Sequence, residues 1–319
     1  MKNRNKEIVN NINYSENKIA KKILRDAKIS NWMFYLMFIL ETITYVLMSV
    51  SALTTKGIFL VSIIYLILSL YLVSRQKQYL NKIMSESMNK TICPEAFFNL
   101  NLYNAKKIIC TERLYNYSLN NIAYAYIQTG DFDKASEIIK YLDTRKKDLI
   151  LQSEIIQNKI NIAFLKNDIK KLYEESENLK KVISFIPKRY KKEILLNVNL
   201  KQAVTEKNIE EVNNKCDLLE KKKNLFNKLY ASYYRGLVLV KSKKQGYEEY
   251  YKFVAENGNN LVIANKAREK LKVNNVKNNY KRKLHIVYKI FNLILLTILF
   301  ASTFFWGMYT IYIFVNIGL

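Results

Sequence analysis

Residues 121 to 135 read Asn121-Ile-Ala-Tyr-Ala-Tyr-Ile-Gln-Thr-Gly-Asp-Phe-Asp-Lys-Ala135. Together with Leu119, the residues Ile122, Ala123 and Tyr126 recur at three- and four-residue spacing, which places them on one face of a helix. Gly130 can enter the left-handed backbone region that ends a helix. Asp131 can then accept hydrogen bonds from the first free N–H groups of a second helix, and Ala135 allows that helix to pack closely. The period is that of a helix, broken at Gly130-Asp131, and the test of an internal repeat is whether such breaks recur.

Turn-like positions do recur, at Gly130-Asp131, Asn167-Asp168, Lys207-Asn208 and near Gln245-Gly246. At equal offsets from the second and third turns, Ile156, Ile160, Ala163, Leu172 and Leu179 match Leu196, Leu200, Ala203, Val212 and Leu219. The Gly-Asp-aromatic turn with its small packing residues resembles the tetratricopeptide repeat (TPR). The resemblance is clear for one repeat, about 113–143, and degenerate in the rest. Repeats two and three lack the Gly and the aromatic turn residue, and the fourth carries a short insertion at Ser242 to Gln245. The resemblance implies a TPR-like solenoid over 94–272, of about four helix pairs with Ala264 to Leu271 as a capping helix. It also implies that the first helix of each pair lines a concave groove for extended peptides or partner helices. In that register one groove position is filled by Asn120, Gln157 and Asn197, and another by Tyr124, Asn161 and Lys201. An amide offers both donors and an acceptor, so such a column suits a peptide backbone of any sequence.

Composition agrees with a helical chain. The 319 residues are 50% hydrophobic and carry a net charge of +25, with only 7 Gly and 2 Pro. Collagen-like, linker-like and turn-rich all-β chains need more Gly and Pro, and a disordered polycation would not be half apolar. The apolar residues fall into three blocks. Trp32 to Leu53 is interrupted by one charge, Glu41, and at about 1.5 Å per residue reaches about 33 Å, enough for a bilayer core of about 30 Å. Gly57 to Val73 is uncharged, and the third block, Ile290 to Leu319, is read as one span with Gly307 as a kink or exit point. The expected fold class is thus all-α, three transmembrane helices plus a cytoplasmic α-α repeat (TPR-like) solenoid.

The basic residues near the spans all lie on one side apart from Lys56, and the positive-inside rule places that side in the cytoplasm. The expected organisation is a basic amphipathic helix at 1–30, a transmembrane hairpin at 31–74 turning at Thr54-Thr55-Lys56, a juxtamembrane linker at 75–93, the repeat domain, a basic linker at 273–289 and a C-terminal span outward at 290–319. In the first segment Ile19, Ala20, Ile23, Leu24 and Ala27 form an apolar face opposite Lys18, Lys21, Lys22, Arg25 and Lys28, suited to anionic lipid headgroups. A cleaved leader is the weaker reading of the first block, since a second span follows three residues later.

Within the hairpin, Glu41 is costly unless protonated or paired, and depth counting offers Ser69, Thr297, Ser302 or Thr303 as hydrogen-bonding partners. The runs Arg145-Lys146-Lys147, Lys188-Arg189 with Lys191-Lys192, Lys221-Lys222-Lys223 and Lys281-Arg282-Lys283 are read as solvated or lipid-facing charge rather than a nucleic-acid surface. No phosphate-cradling, zinc-protease or nucleophile-elbow motif occurs. One His (His285) and three Cys (Cys93, Cys110, Cys216) in no CxxC spacing leave no cofactor, metal or disulfide framework in prospect. Cys110 and Cys216 are expected at helix contacts. The sequence therefore points to no enzyme but to a membrane-anchored adaptor of a bacterial cell membrane, with the repeat domain cytoplasmic and the C-terminus outside. Its partner would be a protein or peptide, acidic or part of a membrane complex. A peptide sensor or accessory subunit of a peptide exporter is the second reading, and a small transporter component using Glu41 the third.

Overall fold

α-Helix is the only regular secondary structure among the described residues of the computed structural model, which are 7–51, 55–107, 111–144, 148–273 and 286–317. Thr54, Cys110, the run Arg145-Lys146-Lys147, the run Lys281-Arg282-Lys283 and His285 lie outside them, and so do the side chains of Lys56 and Gly57. In chain order the helices are α1 Glu7–Asn10, α2 Lys18–Ser51, α3 Thr55–Asn89, α4 Pro94–Lys106, α5 Glu112–Thr129, α6 Phe132–Asp143, α7 Leu149–Leu165, α8 Ile169–Ile183, α9 Lys188–Thr205, α10 Ile209–Glu220, α11 Leu225–Lys241, α12 Tyr247–Asn257, α13 Val262–Leu271 and α14 Ile286–Ile317. They form two compact units, Lys22–Ile83 with Arg282–Leu319, and Met1–Lys21 with Met84–Lys281.

In the first of these units α2 and α3 run antiparallel. The Tyr45 hydroxyl meets Ser62 Oγ at 3.2 Å, Ser69 Oγ donates to Glu41 Oε1 at 3.0 Å, and Gln76 Nε2 donates to Asn31 Oδ1 at 3.3 Å. A small core of Met37, Leu72 and Leu299 joins both to α14, where Thr44 and Thr303 share a hydrogen bond of 2.7 Å. Among the described residues two helices, Lys18–Val50 and Phe59–Asn89, are long and apolar enough to cross a membrane, and little of either is buried. This is one fewer than expected, since parts of the third segment, 290–319, lie outside the described side chains. The described side chains of α14 supply only a shorter apolar stretch, Ile294–Thr310. Two boundaries also differ. The segments expected as a separate amphipathic helix and a juxtamembrane linker are continuations of α2 and α3, because neither Ser30-Asn31 nor residues 75–89 contain a Pro or Gly to stop a helix. Ala20, Ile23, Leu24 and Ala27 are buried rather than free for lipid.

The other unit is built of helix pairs whose first members, α5, α7, α9 and α11, begin at Glu112, Leu149, Lys188 and Leu225. One turn closes each of them. Gly130, Asn167, Lys207 and Lys243 stand in the left-handed region, at φ of 88°, 58°, 61° and 57°. The next residue's N–H returns five positions to a carbonyl, Asp131 to Tyr126, Asp168 to Ala163, Asn208 to Ala203 and Lys244 to Leu239, at 2.8 to 3.0 Å. This is the six-to-one bond of a Schellman cap. The fourth turn thus lies at Lys243-Lys244, slightly before the expected Gln245-Gly246. Asp131, Asp168 and Asn208 then cap the second helices through their side chains. Of the two matched apolar columns, all members are buried except Leu196, which is half-buried. Cys216 is buried too, its thiol donating to the Ala231 carbonyl at 3.5 Å.

The pairs do not end openly. Val262 of α13 lies against Gly130, so the last helix returns to the turn after α5. Asn259 Nδ2 donates to the carbonyls of Thr91 and Ile92 at 3.2 and 3.1 Å, and Asn260 Nδ2 to Glu95 Oε1 at 2.8 Å. Lys266 Nζ reaches the Leu165 carbonyl at the end of α7, and the Tyr230 hydroxyl of α11 donates to Gln128 Oε1 of α5. The start and end of the unit are therefore held together.

Candidate functional site

The first helix of each pair turns an apolar face to its neighbours and a second, polar face inward. Residues 120, 124 and 128 of α5, 154, 157, 158 and 161 of α7, 193, 197 and 201 of α9, and 230 and 234 of α11 are spaced by three or four, so each set shares one side of its helix. These sides converge on a cavity of about 490 Å³. All six groove residues read from the sequence, Asn120, Tyr124, Gln157, Asn161, Asn197 and Lys201, line it. Phe97 of α4, Ile263 of α13 and Met84 and Met88 of α3 complete the wall.

The amides are not equivalent. Asn120 is buried and committed: its Nδ2 donates to Glu154 Oε2 at 3.2 Å, and its Oδ1 accepts from Asn158 Nδ2 at 2.9 Å. Gln128 accepts from Tyr230, and Gln157 Nε2 donates within its own helix, to the Ser153 carbonyl at 3.4 Å. No hydrogen bond to the side-chain amide of Asn161 or Asn197 is present among the described residues, so both amides are open to the cavity. Tyr124, Tyr230 and Tyr234 have their phenols held well above the usual value, chiefly by burial, and act as neutral hydrogen-bonding groups.

Four charged side chains line the cavity. Glu193 and Lys222 pair at 2.5 Å. Glu154 and Lys201 have no oppositely charged side chain within 4.0 Å among the described residues. Lys201 is only 6% exposed; its Nζ donates to the Asn197 carbonyl one turn earlier at 3.1 Å and sits 5.9 Å from the centre of the Tyr234 ring. Burial lowers its pKa to about 8. Burial raises the Glu154 carboxyl to about 7, with Asp148 adding to the effect and the Asn120 amide opposing it. Sequence reading missed Glu154 and the α11 tyrosines. The signal for Glu154 was there, since it precedes Gln157 by three residues and must share its face.

Elsewhere, Glu41 is 3% exposed, bonded to Ser69 as depth counting proposed, and its Oε2 is buried without a hydrogen-bond partner among the described residues. Thr303 binds Thr44 and the Leu40 carbonyl, not Glu41. Lys188, Arg189 and Lys192 are exposed, while Lys222 leaves its run to pair with Glu193. Among the described residues no cluster of His, Cys, Asp and Glu could hold a metal ion. No family model matches this chain, and neither a curated protein nor a solved structure matches it.

Proposed function

We propose that this chain is a membrane-anchored binding protein whose helical-repeat unit, TPR-like in its turns, takes a peptide or a peptide segment of a partner protein into the cavity. One observation carries the reading: the groove residues that the TPR resemblance implied on three helices line a single cavity of about 490 Å³. Asn161 and Asn197 would hydrogen-bond the peptide backbone, and the buried tyrosines would supply neutral donors and aromatic walls. The volume falls among small-ligand sites, about 300–1,000 Å³, so a few residues rather than a long strand would be enclosed. The adaptor role follows if those residues belong to a larger partner, and a sensor role if the peptide is free.

Membrane anchoring belongs to the same proposal. It is supported by the two apolar helices, and the excess of basic residues beside them favours a cytoplasmic repeat unit. A membrane-impermeant maleimide applied to cells should label Lys56→Cys and leave Lys188→Cys unlabelled until the membrane is opened, with the natural chain as blank; the reverse pattern overturns the orientation. For binding, the full chain in mild detergent should be stabilised by a pool of short peptides, and Asn161→Ala with Asn197→Ala should remove the shift in Tm. An unchanged shift in the double variant excludes the cavity.

A further inference from the structure

Opposite charges that share a cavity without neutralising each other mark what a ligand must bring. Of the four charged residues in the lining, Glu193 and Lys222 satisfy one another at 2.5 Å. Lys201 is an ammonium with three donors, only 6% exposed, whose one acceptor among the described residues is the carbonyl of Asn197. A buried cation so placed is costly until an anion arrives. Glu154, on the neighbouring α7, holds one amide hydrogen bond and no cation. The same cavity is lined by the open amides of Asn161 and Asn197. We infer that the cavity takes a short peptide by both of its free ends, the α-ammonium on Glu154 and the α-carboxylate on Lys201. The inference rests on the peptide reading above and specifies its ligand.

Main-chain ends satisfy these requirements in any sequence, because every free peptide carries one charge of each sign separated by a run of amides. A volume of about 490 Å³ holds only a few residues, so tripeptides are the probe. A charged side chain could supply either group alone, so the test must separate ends from side chains.

The experiment uses the full chain in detergent and a pool of tripeptides of mixed sequence, prepared in four forms: free, N-acetylated, C-amidated and blocked at both ends. Binding is read by equilibrium dialysis with mass-spectrometric quantitation. Free tripeptides should be retained, and blocking either end should raise Kd at least tenfold. Lys201→Met should make binding indifferent to amidation while acetylation still weakens it, and Glu154→Gln should give the converse, a pattern that mere structural damage cannot produce. Should either variant misfold, the comparison of the four forms on the natural chain decides by itself. Equal binding of free and doubly blocked tripeptides, or retention that follows acidic and basic side chains instead, overturns the inference and leaves the peptide reading standing. Retention of none of the four forms overturns both.

Discussion

Lys201 and Glu154 each cost the fold stability, and the proposed site gives that cost a use. The Glu154 carboxyl titrates near 7 in the folded chain against an ordinary 4.5, so between those values the folded state holds a proton that the unfolded state has released. Stability must then fall as pH rises from about 4.5 to about 7 and level off above, by on the order of 2–3 kcal/mol. Chemical denaturation at pH 5 and pH 8 should show this loss in the natural chain and a flat response in Glu154→Gln; an equal slope in both removes Glu154 as its source. Lys201 works with the opposite sign, since its pKa is lowered from 10.5 to about 8 and stability rises with pH between those values. At neutral pH its ammonium is a standing cost, so Lys201→Met should raise Tm even as it abolishes anion binding, the trade between stability and function expected at a binding site.

At the scale of elements, the recurring turn is held by different residues at different cost. Gly130 enters the left-handed region freely, while Asn167, Lys207 and Lys243 enter it with a Cβ, which costs about 1–2 kcal/mol for most side chains. Lys207→Gly should therefore stabilise the chain by about 1 kcal/mol in thermal melts, after allowance for the greater freedom of Gly when unfolded; a destabilised variant would show that the Lys207 side chain packs more than its exposure implies. The contact of α11 with α12 gives the opposite case. A Cβ on Gly236 would lie 2.6 Å from the ring of Tyr251, itself buried and stacked on Tyr233 at 5.8 Å. Gly236→Ala should lower stability by about 1–3 kcal/mol, as overpacking does, and Tyr251→Leu should suppress that loss.

At the scale of the molecule, the notable feature is that the helical unit returns on itself. Asn259 is central to this: it holds a left-handed backbone at φ 46° and bonds two carbonyls 167 and 168 residues earlier in the chain. Asn259→Gly keeps the backbone and removes the bonds, while Asn259→Ala removes both. Losses of about 1–2 kcal/mol for the first and about 1 kcal/mol more for the second are expected in denaturant titrations. If the closure shapes the cavity, Asn259→Gly should also weaken tripeptide retention although it lines no part of the site. The return also brings α13 to the site: expected as a terminal capping helix, it lies against the turn after α5, and its Ile263 lines the cavity.

Much of this was legible in the sequence because it depends on local chemistry. Helical period, turn residues and capping residues act within a few positions, so the helix pairs, three of the four turns and the columns of buried Ile, Leu and Ala could be read from residues 119 to 219. The same register brought Asn120, Tyr124, Gln157, Asn161, Asn197 and Lys201 to one face, and depth counting paired Glu41 with Ser69. What could not be read depended on distance in space. The return of α13 and the commitment of Asn120 to Glu154 follow from contacts between residues far apart in the chain. Charge shows the division most plainly. The sequence alone determines a basic chain, +25 in all, whereas only the tertiary structure decides that Glu193 and Lys222 cancel while Glu154 and Lys201 do not. A counter-ion is set by distance in folded space, and periodicity along one helix carries no information about it.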